Sequence, residues 1–207
     1  MASDPFKGKN TVTAEKGTVS TSNYSITGTT LEEAYKAIQA KGPSIDGKRY
    51  AGLTDCSLAG FTEGYEYASE EQDDGTFKGY ARFNKAKVKY NCAITLPNFA
   101  DYKQKLSDED RKTWATFYAG VVSHENDHVA DYATELGRWA VEIAAMRGEG
   151  ANKDEKKAQA AAKADLGAQF KKTFAPAENT KRLKATAKKL DSVSGHGPVL
   201  KYTTSSP

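Results

Sequence analysis

Hydrophobic and polar positions alternate most regularly in "KAKVKYNCAITL", where Ala86, Val88, Tyr90, Cys92, Ile94 and Leu96 interleave with Lys85, Lys87, Lys89, Asn91, Ala93 and Thr95. A period of two sends these sets to opposite faces, so the segment predicts a strand buried on one side, with Cys92 facing the core. "KRYAGLTDCSLAGFT" and "EGYEYAS" read as partner strands, and the acidic, Gly-containing "EEQDDGTFKG" as the hairpin loop between strands. Upstream, "TTLEEAYKAIQAKGP" changes to the period of a helix. Leu31, Ala34, Tyr35 and Ile38 share one face, Thr30 caps the start with Glu33 at the reciprocal position, and Gly42-Pro43 stops it.

After Pro97 the pattern is helical. "SDEDRKTWATFYAGVVSHENDHVADYATELGRWAVEIAAM" opens on a Ser107 cap and an acidic first turn, carries an apolar row of Trp114, Phe117, Tyr118 and Val121, and meets only Gly120 and Gly137 as breakers. It predicts one long helix or two. Residues 153–172 and "AENTKRLKATAKKLDSV" predict two more helices, rich in Ala and Lys, whose charges read as a solvated outer face. The expected fold class is α+β: a small antiparallel sheet packed with a long helix and additional C-terminal helices. Residues 1–22, rich in Thr, Ser, Gly and Lys, read as a flexible lead-in or peripheral strand. Residues 23–200 read as a single domain and 201–207 as a mobile tail.

Composition narrows the function classes. A hydrophobic fraction of 38% and a charged fraction of 28% describe a polar globular chain, and no apolar run approaches the ~20 residues of a membrane span. Net charge is +3, with lysines scattered among Asp and Glu, which gives no footprint for nucleic acid. The first residues lack the apolar core of a signal peptide, which fits an intracellular chain or one whose leader has been removed. Cys56 and Cys92 lack the spacing of metal or redox motifs; they pair if the compartment oxidises, and two buried thiols are the other reading.

The long helix also holds "HENDH", residues 124–128, with two of the three histidines in the chain. At about 100° per residue, His124, His128, Asp131 and Glu135 share one stripe, and Glu125 sits beside it. Two imidazoles one turn apart bind a zinc ion from one side, and the intervening glutamate reaches water as general base, so this spacing points to Zn2+ hydrolysis. A chance match on a charged helix face is the alternative. A third ligand is required. The tenth position after His124 is Thr134, so the three-histidine extension of the motif is missing. His196 in "DSVSGHGPV" is the preferred candidate, being the remaining histidine and flanked by Gly195 and Gly197, with Asp191 as a carboxylate that hydrogen-bonds a ligand imidazole. Asp131 and Glu135 are runners-up that suit supporting roles better, and a glutamate from a following helix is another arrangement. Tyr132 and Tyr202 lie closest in sequence to these residues as candidate oxyanion partners.

In order along the chain, "YSITGTTLEEAYKAIQAKGP", "GKRYAGLTD", "VKYNCAITLPNF", "HENDH" and "DSVSGHG" resemble the bacterial family grouped as domain of unknown function 922, described as predicted secreted zinc-dependent proteases. The resemblance implies a periplasmic or secreted protein acting on a protein or peptide substrate, with zinc at His124 and His128, Glu125 as catalytic base, and a stronger claim for His196. After "LTD" the family tends to carry an aromatic residue, whereas this chain has Cys56, which makes a Cys56–Cys92 link a local substitute. The expected function is that of a zinc metallopeptidase. The rivals are a zinc amidase acting on peptidoglycan and a metal-stabilised cell-envelope binding or adaptor protein without hydrolytic activity.

Overall fold

A computed structural model of the chain describes residues 5–6 and 8–202. In chain order its elements are β1 (Val12–Ser25), α1 (Leu31–Lys41), β2 (Ser44–Ile45), β3 (Lys48–Arg49), β4 (Leu53–Thr62), β5 (Tyr65–Glu71), β6 (Phe77–Phe83), β7 (Ala86–Asn98), α2 (Tyr102–Lys105), α3 (Asp108–Ala145), β8 (Gly148–Asn152), α4 (Glu155–Thr173) and α5 (Pro176–Ser194). The fold class is α+β, as expected. Part of the stretch read as a lead-in forms β1. The expected mobile tail lies mostly outside the described residues. The contacts of the described residues form two compact units: 5–6, 8–17, Leu58–Tyr90 and Ala133–Lys184 in the first, Thr18–Ser57, Asn91–Tyr132 and 185–202 in the second.

β7 is the middle strand of a three-stranded sheet in the order β1-β7-β4. Ala86, Val88, Tyr90, Cys92, Ile94 and Leu96 are all buried, because a strand between two neighbours with one covered face must alternate. β1 runs beside β7 in the same direction: Ala86 N–H donates to Thr11 O and Ile26 N–H to Asn98 O. Cys92 is joined to Cys56 of β4 by a disulfide.

In the first unit β5, β6 and β8 form an antiparallel sheet in that order, with Tyr67 opposite Ala81 and Gly79 opposite Gly150. α4 lies against this sheet along a row of fully buried Ala158, Ala162 and Leu166. The approach is so close that a Cβ on Gly148 would stand 2.0 Å from Ala162 O. β8, "GEGAN", is therefore a strand chosen for what it lacks. Buried Phe83, Phe174 and Trp139, with half-buried Phe170, complete this unit's aromatic core, each fully buried ring contributing on the order of 2–3 kcal/mol.

The second unit holds α1, β2, β3 and α2. The Thr30 hydroxyl accepts from Glu33 N–H at 3.2 Å, while the Glu33 carboxylate accepts from Thr29 N–H at 2.6 Å, a capping box displaced by one residue. Leu31, Ala34 and Ile38 form the buried face of α1. α3 is a single 38-residue helix. Its early turns bury Trp114, Phe117 and Val121, with Phe99 edge-on to Trp114 at 5.3 Å. Among the described residues, no helix is long and apolar enough to cross a membrane.

Candidate metal centre

His124 and His128 lie one turn apart on α3, both buried, and their Nε2 atoms are 3.2 Å from each other. Asp191, on the last turns of α5, places Oδ1 3.4 Å from His124 Nε2 and 3.2 Å from His128 Nε2. The three atoms form a nearly equilateral triangle. A zinc ion with ligands at ~2.0–2.1 Å in tetrahedral geometry needs ligand atoms roughly 3.3–3.4 Å apart, so the residues fit the ion.

Hydrogen bonding alone does not account for this triangle. Each neutral imidazole has one N–H, and if either Nε2 is unprotonated its lone pair faces the Asp191 carboxylate. If both are protonated, two N–H groups oppose each other. A cation at the centre satisfies all three atoms. Burial lowers the pKa of His128, which favours the neutral, metal-ligating imidazole. His128 Nδ1 is buried and has no hydrogen-bond partner among the described residues.

The local sequence explains how the chain turns back after Asp191. α5 ends at Ser194, and both Gly195 and Gly197 have left-handed backbone, φ 72° and 83°, which L side chains rarely adopt. The chain then turns back, and a Cβ on Gly197 would lie 3.2 Å from His124 Cδ2. His196, between the two glycines, packs its ring on Tyr50 with centroids 4.7 Å apart and sets Nδ1 3.3 Å from Asp191 Oδ2. The three side chains whose ligand atoms come together are thus His124, His128 and Asp191, while His196, expected as the third ligand, contacts Asp191 at its far oxygen. Sixty-odd residues separate Asp191 from "HENDH", and it was singled out from sequence as a supporting carboxylate beside His196.

Glu125 is 4% exposed. The Thr54 hydroxyl of β4 lies 2.8 Å from its Oε2 and 3.0 Å from its main-chain oxygen. On the other side a Cβ on Gly52 would stand 2.5 Å from Oε1, so only glycine lets the strand approach this carboxylate. Burial pushes the Glu125 carboxyl up to about 7, the Thr54 hydrogen bond lowers it, and the Asp191 charge adds to the rise. Thr54 and Gly52 were not singled out from sequence, although both stand in "GKRYAGLTD", one of the pieces that carry the family resemblance.

The runners-up are placed elsewhere. Glu135 accepts from Trp139 Nε1 at 2.7 Å, Arg138 at 3.0 Å and Arg182 at 3.1 Å. Its burial would raise the carboxyl, but these hydrogen bonds outweigh that and hold it below the usual range. Asp131 is half-buried and outside the triad. Tyr132 is buried, and burial pushes its hydroxyl up to about 12. Tyr202 packs on Tyr35 at 5.2 Å.

No curated protein and no solved structure matches the chain. Residues 21–197 match the family described as bacterial protein of unknown function, and this stretch spans every residue of the triad, Glu125 and Thr54. The chain belongs to that family, DUF922.

Proposed function

We propose that this chain is a zinc-dependent peptidase, with the metal held by His124, His128 and Asp191 and with Glu125 as general base. The observation that carries the reading is the convergence of two buried Nε2 atoms and one carboxylate oxygen at 3.2–3.4 Å, with a buried glutamate on the same helix turn. Zinc, when bound, supplies Lewis acidity that polarises an amide carbonyl and acidifies water toward a pKa of ~7.

The chain's own residues do the rest. Thr54 fixes Oε2 of Glu125, which leaves Oε1, beside Gly52, to take a proton from the attacking water. That carboxyl then passes the proton to the leaving amine nitrogen as the C–N bond breaks, so water is added across the amide and Glu125 returns to its starting form. A carboxyl whose burial brings it near neutrality is matched to both halves of this task. His196 holds the far oxygen of Asp191 and orients it. The Cys56–Cys92 disulfide supports an oxidising compartment, the periplasm or the cell exterior.

The test is hydrolysis of a denatured protein and a mixed peptide library by the zinc-loaded chain, read by mass spectrometry. Glu125→Gln is expected to keep zinc and lose about 10²–10⁴-fold in rate. Undiminished cleavage by that variant would sink the general-base assignment. Zinc binding without cleavage of any amide would favour a metal-stabilised binding protein.

A further inference from the structure

The metal centre opens into a small hollow of about 40 Å³ whose walls include Tyr50 and His196. The same two side chains also line a larger, open hollow of about 460 Å³, together with Gln39, Gly47, Lys48 and Arg49. The two hollows therefore adjoin at Tyr50 and His196, which wall both. The lining of the larger one carries two permanent cations and, among the described residues, no carboxylate. Asp46 is in the neighbouring turn and is not part of the lining.

These cations are held on a rigid element. β2 and β3 form a hairpin with Ser44 opposite Arg49 and Ile45 opposite Lys48. Its two-residue turn puts both Asp46 and Gly47 at positive φ, 49° and 80°, the backbone that matches strand twist. At the hairpin base, Tyr50 N–H donates to Pro43 O at 2.9 Å, and Arg49 Nη1 donates to Gly42 O at 2.5 Å. That tie uses one nitrogen of a guanidinium with five N–H donors and orients the others. Lys48 and the free nitrogens of Arg49 stand without an ion-pair partner among the described residues, and together they match a planar carboxylate in charge and geometry.

We propose that this hollow is a carboxylate subsite: the chain selects amide substrates that carry a carboxylate close to the scissile bond, either an acidic side chain or a free C-terminus. Cleavage of such amides rests on the hydrolase reading; the carboxylate preference rests on Lys48 and Arg49.

The experiment titrates zinc-loaded E125Q protein with three peptides: acetyl-Ala-Glu-Ala-amide, acetyl-Ala-Gln-Ala-amide and acetyl-Ala-Gln-Ala with a free carboxyl end. NMR signals of Lys48 and Arg49 report binding. At least one acidic peptide is expected to bind about fivefold or more tightly than the neutral one, with the preference falling as salt rises. Which acidic peptide wins identifies the source of the carboxylate. K48Q, which removes no internal hydrogen bond, and R49Q should each shrink the preference. Equal affinity for all three peptides, or a preference unchanged in both variants, would overturn the subsite. A preference that persists while the wild-type chain cleaves none of the three supports the subsite and counts only against the hydrolase reading.

Discussion

Glu125 is the residue whose surroundings conflict most with its own stability. Its folded pKa of about 7 stands above the ordinary 4.5, so the folded state holds a proton the unfolded state has released. The sign follows: ionising the buried carboxyl costs stability progressively from pH 4.5 upward, in full above pH 7, and costs nothing well below 4.5. Metal-free Glu125→Gln should therefore be more stable than the wild type by about 3 kcal/mol at pH 8, and the gap should shrink below about 1 kcal/mol at pH 5. Urea midpoints at the two pH values measure this; a gap independent of pH would mean that the carboxyl is not held in its neutral form. The same residue illustrates what sequence can carry. "HENDH" fixes the two imidazoles and the glutamate because helix period alone brings them together. For the third position the sequence favoured His196 and left carboxylates as alternatives; the structure brings Asp191 of α5 to the two imidazoles, a placement set by how that helix packs and not by any local pattern.

Among the elements, β7 and α1 were legible because each buries one face, and the buried residues of both match the period read from the sequence. β8 was not legible. "GEGAN" has neither alternation nor β-branched residues, and its strand exists because α4 needs a surface without side chains. That account has a consequence for stability. Gly148→Ala would drive a methyl group to within 2.0 Å of Ala162 O, so the helix must retreat or the sheet must yield. We expect a loss of about 1–3 kcal/mol in chemical denaturation. A neutral Gly148→Ala would show that α4 does not rest on β8 at this point. The hairpin β2–β3 was missed for a related reason: two-residue strands are too short to display a period, and the turn signal "DG" stood between the end of the α1 helix pattern and the strand reading that begins at Lys48.

For the whole molecule, the family match over residues 21–197 includes residues of both compact units, those of the candidate metal centre and those of the α4 sheet alike. The Cys56–Cys92 disulfide closes a separation of 36 residues, and a loop of that length contributes about 3–4 kcal/mol by restricting the unfolded chain. Replacing both cysteines with alanine should lower the unfolding free energy by that order, seen as a shifted denaturant midpoint. An unchanged midpoint under non-reducing conditions would mean that the bond is not formed in the isolated protein. Cys56 follows Thr54 by two positions on β4, so the same strand carries the disulfide and the anchor of Glu125.

The central claim, a zinc ion held by His124, His128 and Asp191, is tested most directly by metal content. Elemental mass spectrometry would be run on zinc-equilibrated, desalted wild type beside His124→Ala, Asp191→Ala and His196→Ala. The structure leads us to expect about one zinc per chain in the wild type, none in His124→Ala or Asp191→Ala, and retention with weakened affinity in His196→Ala. Zinc kept by Asp191→Ala but lost from His196→Ala would contradict the assigned triad, and no zinc in any form would contradict the metal centre itself.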